Sequence, residues 1–287
     1  MHTNSLDWAA ARRALVEEVA RVSKLLRSVD DPRAAAVGQW NVVEVAVHLC
    51  QAFVIVPGLA RADLAEVHEF VPGLAQRGTG SLLGDIWELG AVMVEGVRRE
   101  RERDLHALAE RLEASAAAFL ADSAATAPDE AKSWLVDGVT VDVGTLTCHL
   151  LNETVVHGYD IALASGRRWR IDRRHAALVV DGFLFPVLSA LGDALVDASR
   201  AASVRACYEV HVRGGARHVM LFDAATLTVG PQPGRRVDCH LSVDPAAFLL
   251  VVWGRRSQWR AIANGQLVAW GRQPWLGPRL RQLVRNV

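Results

Sequence analysis

Apolar residues recur at intervals of three and four from Leu6 to Leu26: Leu6, Ala9, Ala10, Leu15, Val19, Val22, Leu25 and Leu26. That spacing puts them on one face of a helix, and Asp30-Asp31-Pro32 breaks it. A second helix starts at Trp40-Asn41-Val42-Val43-Glu44, where Asn41 and Glu44 have the spacing of a capping box. Its apolar run of Val45, Val47, Leu49 and Phe53 meets Pro57, which is expected to kink or end it. Residues 71–84, with Pro72, Gly73, Gly78, Gly80 and Gly84, read as a loop. One long helix is expected from Ile86 to Ala121, its mixed-charge stretch Arg98 to Asp104 forming a solvated face. After a break at Thr126 to Glu130, a fourth helix is expected from about Asp142 to Ala164, stopped by Ser165-Gly166. Four long helices with moderate connections predict a bundle.

Beyond Gly166 the pattern changes. A helix is expected from about Arg174 to Ala202. Tyr208, Val210 and Val212 then alternate with Glu209, His211 and Arg213, and Gly214-Gly215 reads as a hairpin turn. Short strands follow at Val219 to Phe222, Thr226 to Val229 and Val237 to Val243. Asp244-Pro245 opens a helix that runs to Trp253 and stops at Gly254. A strand at Gln266 to Trp270 and a helix at Leu276 to Val284 complete the chain. The expected class is α+β, with a helical bundle over 1–168 and a helix plus small α+β domain over 169–287.

Composition narrows the function classes. The 287 residues hold 32 basic and 32 acidic side chains, a formal charge of zero. This argues against a nucleic-acid binder and gives no electrostatic motive for docking on anionic lipid. No run approaches 18 consecutive apolar residues. The stretch Ala176 to Val196 is interrupted by Asp181, Gly182, Pro186, Gly192 and Asp193, so no membrane span is expected. The first twenty residues do not read as a signal peptide, and a cytoplasmic location follows. Cys50, Cys148, Cys207 and Cys239 form no C-x-x-C pair and are expected as thiols.

Several common signatures fail. Gly78-Thr79-Gly80-Ser81-Leu82-Leu83-Gly84 has the wrong spacing for a dinucleotide loop and no strand before it. Neither a nucleotide-binding P-loop, nor an H-E-x-x-H zinc motif, nor a G-x-S-x-G nucleophile elbow is present.

What survives lies on the fourth helix, where His149, Glu153 and His157 stand four residues apart. Neighbours at that spacing share one helix face. The two histidines are roughly 12 Å apart along the axis, so at most two of the three residues reach one ion. The second helix offers His48 on an otherwise apolar stretch. With Glu153 and His157 it makes a two-histidine, one-carboxylate set suited to a catalytic Zn²⁺, although other divalent metals share the affinity. Spacing alone leaves a hydrogen-bonded Glu153–His157 pair and a satisfied core histidine as alternatives. Asp160, one turn beyond His157, is either a partner that orients the imidazole or a helix-surface charge.

The stretch Trp40 to Leu49 resembles the second-helix signature of the DinB-like metal-binding bundles. Glu153-Thr154-Val155-Val156-His157-Gly158-Tyr159-Asp160-Ile161-Ala162, followed by Gly166-Arg167, is similar to the fourth helix of the mycothiol-dependent maleylpyruvate isomerase group. The resemblance implies Zn²⁺ ligation by His48, Glu153 and His157, with His149 supporting the ligands or lining the pocket. The carboxy-terminal half resembles that group's sterol-carrier-like α+β domain at Val243 to Ala247 and Trp253-Gly254-Arg255. This implies that Arg255 faces the active site; a helix-end surface arginine is the alternative, and Arg256 beside it shifts the match by one. The segment around 66–90 departs from the pattern as a long insert.

The resemblance implies mycothiol, the low-molecular-weight thiol of actinobacteria, as cosubstrate, and an Arg-rich composition with only Lys24 and Lys132 as lysines agrees with such a source. The expected function is a zinc-dependent enzyme that activates the thiol against a small electrophile, most simply as an S-transferase. The alternatives are cis–trans isomerisation of a maleylpyruvate-like acid, non-enzymatic binding of a hydrophobic ligand, and metal-dependent hydrolysis. No partner protein or oligomeric state is marked.

Overall fold

The computed structural model describes residues 6–61, 63, 65, 86–230 and 234–285. The expected loop at 71–84, its glycine-rich stretch, and the insert as far as residue 85 lie outside the described residues. The chain divides into two compact units, Asp7–Ile171 and Asp172–Asn286. Acidic residues outnumber basic ones in the first and basic outnumber acidic in the second, so the zero net charge is a sum of opposite signs.

The first unit is helical. In α1 (Trp8–Leu26), Asp7 accepts from the Ala10 N–H at 2.9 Å. At the start of α2 (Val42–Arg61) the capping box is complete: the Glu44 N–H donates to Asn41 Oδ1 at 3.0 Å, and the Asn41 N–H donates to Glu44 Oε2 at 2.9 Å. Pro57 does not end α2, which runs on to Arg61.

The single helix expected over Ile86 to Ala121 is two, α3 (Leu89–Arg99) and α4 (Leu105–Asp122). Between them Glu100 Oε1 accepts from the N–H groups of Arg101 and Glu102. Glu102 Oε1 likewise accepts from Arg103 and Asp104. Side chains thus take the backbone donors that a helix would need. Asp104 then caps α4 by accepting from the Ala107 N–H at 2.8 Å.

The last helix of this unit, α5 (Val143–Ala164), is capped by Asp142. Helix α1 packs on α4 and α5, and α2 packs on the same two. A four-helix bundle results, and α5 is buried along most of its length. Gly158 permits this: a Cβ there would stand 2.7 Å from Val22 Cγ2 of α1. Two short hairpins brace the bundle, β1 (Ala35–Val37) with β2 (Trp40–Asn41), and β3 (Ala131–Ser133) with β4 (Thr140–Asp142). Patterning did not predict either.

In the second unit, the helix expected over Arg174 to Ala202 is interrupted. Helix α6 (Arg173–Val179) passes through a π-helical turn at Val180–Leu184 into α7 (Phe185–Leu191). Gly192, with φ +48°, ends it, and α8 (Ala198–Ala201) is a separate turn. A five-stranded sheet follows in the order β7-β6-β5-β8-β9. Its strands are β5 (Arg205–Val212), β6 (Arg217–Asp223), β7 (Thr226–Val229), β8 (Cys239–Val243) and β9 (Leu267–Trp270). Among the described strands, only β5 and β8 pair in parallel. Tyr208, Phe222 and Leu241 belong to the core of this unit.

Helix α9 (Pro245–Val252) is capped as expected by Asp244, which accepts from the Ala247 N–H. Two more helices, α10 (Gln258–Ala263) and α11 (Gly277–Leu283), flank β9 in sequence. The hairpin glycines have a specific cause. Asp181 of the π turn accepts from the Ala216 N–H at 2.8 Å, and a Cβ on Gly215 would stand against that carboxylate.

By length and composition, Val42–Arg61 and Arg173–Leu195 would suffice to cross a membrane, and the first is the buried core helix α2. All four cysteines are buried and no disulfide joins them.

Candidate metal centre

Helices α2 and α5 are direct neighbours in the bundle. The 3.6-residue period brings His149, Glu153 and His157 to one face of α5, and α2 sends His48 to meet them. Glu153 Oε2 lies 3.2 Å from His48 Nε2 and 3.4 Å from His157 Nε2. Its other oxygen, Oε1, lies 3.5 Å from His149 Nε2 and 3.1 Å from the Asn152 Nδ2 that donates to it. Three imidazoles therefore surround one carboxylate, and they divide its oxygens two and one. The side chains of His48, Glu153 and His157 are only 12%, 13% and 11% exposed.

The surroundings set the charges. Burial works to raise the Glu153 pKa, but hydrogen bonds from His149, His157 and His48 outweigh it and hold the carboxyl well below its ordinary value. For His48 burial dominates and lowers the pKa, against the hydrogen bond it makes to Glu153. For His157 burial is again the largest single influence, yet hydrogen bonds to Asp160 and Glu153 together overcome it and raise the pKa to about 9. Asp160 makes the difference between the two rings: its Oδ2 lies 3.0 Å from His157 Nδ1. His48 Nδ1 is buried with no hydrogen-bond partner. That ring is held by packing, 5.0 Å from Trp40 and 4.9 Å from the edge-on His157 ring.

One atom each from His48, Glu153 and His157 lies within 4.8 Å of the other two. Ligand atoms of a tetrahedral ion with bonds of about 2.0–2.1 Å stand roughly 3.3 Å apart. The 3.2 and 3.4 Å separations at Glu153 Oε2 match that edge. A ligand imidazole must be neutral at its bonding nitrogen, which the burial of His48 favours. Its second nitrogen commonly donates to a carboxylate, as His157 Nδ1 does to Asp160. The donor set, its spacing and its burial fit a divalent cation with a further coordination position left for another ligand.

The other expected residues fall as follows. Asp160 is 3% exposed and sits at His157, not on the helix surface. His149 is buried beside Glu153, outside the three-atom group. Arg255 lies in the second unit just after α9, partly exposed, and its Nη1 donates to the Trp253 carbonyl at 2.7 Å. Neighbouring Arg256 donates to Gln266 Oε1 at 2.9 Å. Sequence reasoning missed Trp134 and Asn152. Trp134 is buried, and its indole Nε1 donates to His149 Nδ1 at 3.3 Å. It follows β3, in a hairpin whose Asp137-Gly138 turn was a readable signal.

Residues 7–162 match the family model described as the mycothiol maleylpyruvate isomerase N-terminal domain. The fold is similar to the crystal structure of the mycothiol-dependent maleylpyruvate isomerase, with TM-score 0.52 and 13% identity over 94% of this chain and 95% of that one. A histidine-to-alanine mutant of that isomerase aligns over the same shares at TM-score 0.53 and 13% identity. No curated protein sequence matches the chain. Because the family model covers more than half of it, the chain belongs to the family of the mycothiol maleylpyruvate isomerase N-terminal domain.

Proposed function

We propose that this protein is a mycothiol-dependent metalloenzyme in which His48, Glu153 and His157 hold a divalent cation, Zn²⁺ by the chemistry of the donor set. The observation that carries this reading is the convergence of both Nε2 atoms on one oxygen of a buried, ionised Glu153. A cation bound there lowers the pKa of a thiol, ordinarily about 8.5, and so supplies a thiolate near neutral pH.

The chain's own residues do the rest. Glu153 brings a fixed negative charge, which its neighbours keep ionised. Asp160 accepts from His157 Nδ1 and so leaves Nε2 as the ring nitrogen that faces the cluster. Burial keeps water from competing for these groups.

In the reaction, the thiol loses its proton and the sulfur bonds to one carbon of an activated double bond, whose π pair moves onto the adjoining carbonyl as an enolate. If the enolate takes a proton at carbon and the adduct is kept, the protein is an S-transferase. If the adduct rotates about the former double bond and then expels the thiol, it is a cis–trans isomerase. The S-transferase reading rests on the insert around 66–90, which departs from the family pattern. The isomerase reading draws on the family itself and on the likeness to the maleylpyruvate isomerase.

The test is incubation of metal-loaded protein with mycothiol and small electrophiles, including maleylpyruvate-like acids, followed by mass spectrometry. A lasting thioether supports S-transfer, and isomerised acid with thiol recovered supports the alternative. Glu153→Ala should lose metal and thiol-dependent turnover while keeping its helical circular dichroism. A folded Glu153→Ala protein with wild-type metal content, or turnover independent of thiol, overturns the reading.

A further inference from the structure

Glu153 Oε1 is the oxygen that the proposed ligand set does not use, yet two side chains are built around it. Asn152 Nδ2 donates to it at 3.1 Å and His149 Nε2 faces it at 3.5 Å. Behind His149 stands Trp134, 3% exposed, with ring centroids 5.8 Å apart and planes inclined by 64°. Its Nε1 reaches His149 Nδ1 at 3.3 Å. The Trp134 backbone N–H bonds to the Val139 carbonyl at 3.1 Å, so the β3–β4 hairpin holds the indole in place.

An indole N–H only donates. His149 Nδ1 must therefore accept, and the proton of the neutral ring sits on Nε2, the nitrogen that faces Glu153. The tautomer selected by Trp134 is the one that can donate to Oε1. The opposite tautomer would set a lone pair against a carboxylate oxygen.

We propose that Trp134 is a positioning residue: through His149, and together with Asn152, it occupies Oε1 and leaves Oε2 alone to face His48 and His157. Glu153 is thereby presented as a one-oxygen ligand in a fixed rotamer. The inference rests on the metal reading above for its consequence, but the tautomer of His149 stands independently of any metal.

The test compares the full-length wild type with Trp134→Phe, His149→Leu and His149→Gln. Trp134→Phe keeps the shape and removes the N–H, and His149→Gln keeps a donor for Oε1. Zn²⁺ affinity is measured by competition with a chromophoric chelator, and the His149 ring nitrogens are read by ¹⁵N NMR on metal-free protein. Loss of a partner behind a metal ligand costs about 10–100-fold in affinity. Trp134→Phe and His149→Leu should each lose about tenfold, and His149→Gln should stay within about threefold of wild type.

In wild type the proton should be on Nε2, and in Trp134→Phe it should be shared between the two nitrogens. Wild-type affinity in either Trp134→Phe or His149→Leu overturns the proposal. So does equal loss in His149→Gln and His149→Leu, or a wild-type proton on Nδ1. If wild-type protein binds no Zn²⁺, the ligand reading fails, and the NMR tautomer still decides the role of Trp134.

Discussion

His157 Nδ1 and Asp160 Oδ2 stand 3.0 Å apart on successive turns of one buried helix. The contact orients the ring that presents Nε2 to Glu153. Replacing Asp160 by Asn keeps the volume but weakens the charge-assisted bond. Zn²⁺ affinity is expected to fall by about tenfold, within the range for such partners. Chelator competition on Asp160→Asn measures it, and unchanged affinity would place Asp160 outside the site's function.

The same contact makes stability depend on pH. His157 rises from 6.5 to about 9 on folding of the metal-free protein. Its contribution is therefore full below pH 6.5 and is lost as pH climbs through 9. His48, whose pKa is lowered, works in the opposite sense: its cost is present below its depressed value and disappears as pH rises past 6.5. Glu153 acts at the other end: its contribution is full above about 4.5 and is lost as pH falls through its depressed value. A cation held by the proposed ligands would displace the His157 proton, so its binding should strengthen with pH. Thermal unfolding should show the chelated protein less stable at pH 9 than at pH 6.5, and the gap between metal-loaded and chelated protein widening over the same interval.

Gly158 gives a test of the bundle itself. An added Cβ would meet Val22 Cγ2 at 2.7 Å and the Trp169 ring at 3.3 Å. Gly158→Ala should cost about 1–3 kcal/mol by overpacking, read by urea unfolding. Val22→Ala in the same chain removes the first clash and should restore part of the loss.

The entry to α2 gives a smaller effect. Asn41→Ala removes a cap whose bond to the Glu44 N–H is 3.0 Å. A loss of about 1 kcal/mol is expected, again by urea unfolding. Because His48 lies a full turn beyond Glu44, Zn²⁺ affinity should change little.

Much of the scaffold was legible because its signals are local. Asn41 with Glu44, Asp142 before α5 and Gly166 after it mark helix ends through bonds spanning three or four residues. The break between α3 and α4 was hidden because Glu100 and Glu102 look like a solvated helix face. What separates that reading from a turn is which donors their carboxylates accept. The π turn at Val180–Leu184 was hidden for a related reason: its apolar residues keep helical spacing while Asp181 is drawn to the hairpin.

Periodicity alone already put His149, Glu153 and His157 on one face of one helix and raised His48 as their companion, since the pitch of an α-helix is a property of the backbone. It left open whether His48 meets Glu153 at all, which oxygen each ring faces, and whether Asp160 points to solvent or to His157. The His48–Glu153 contact joins residues 105 positions apart, and the Trp134–His149 bond depends on a hairpin folding back beside α5. Such distances follow from how α1, α2, α4 and α5 pack as solids. Only that packing turns three residues at helical spacing and one distant histidine into a single buried cluster with an assigned atom at each contact.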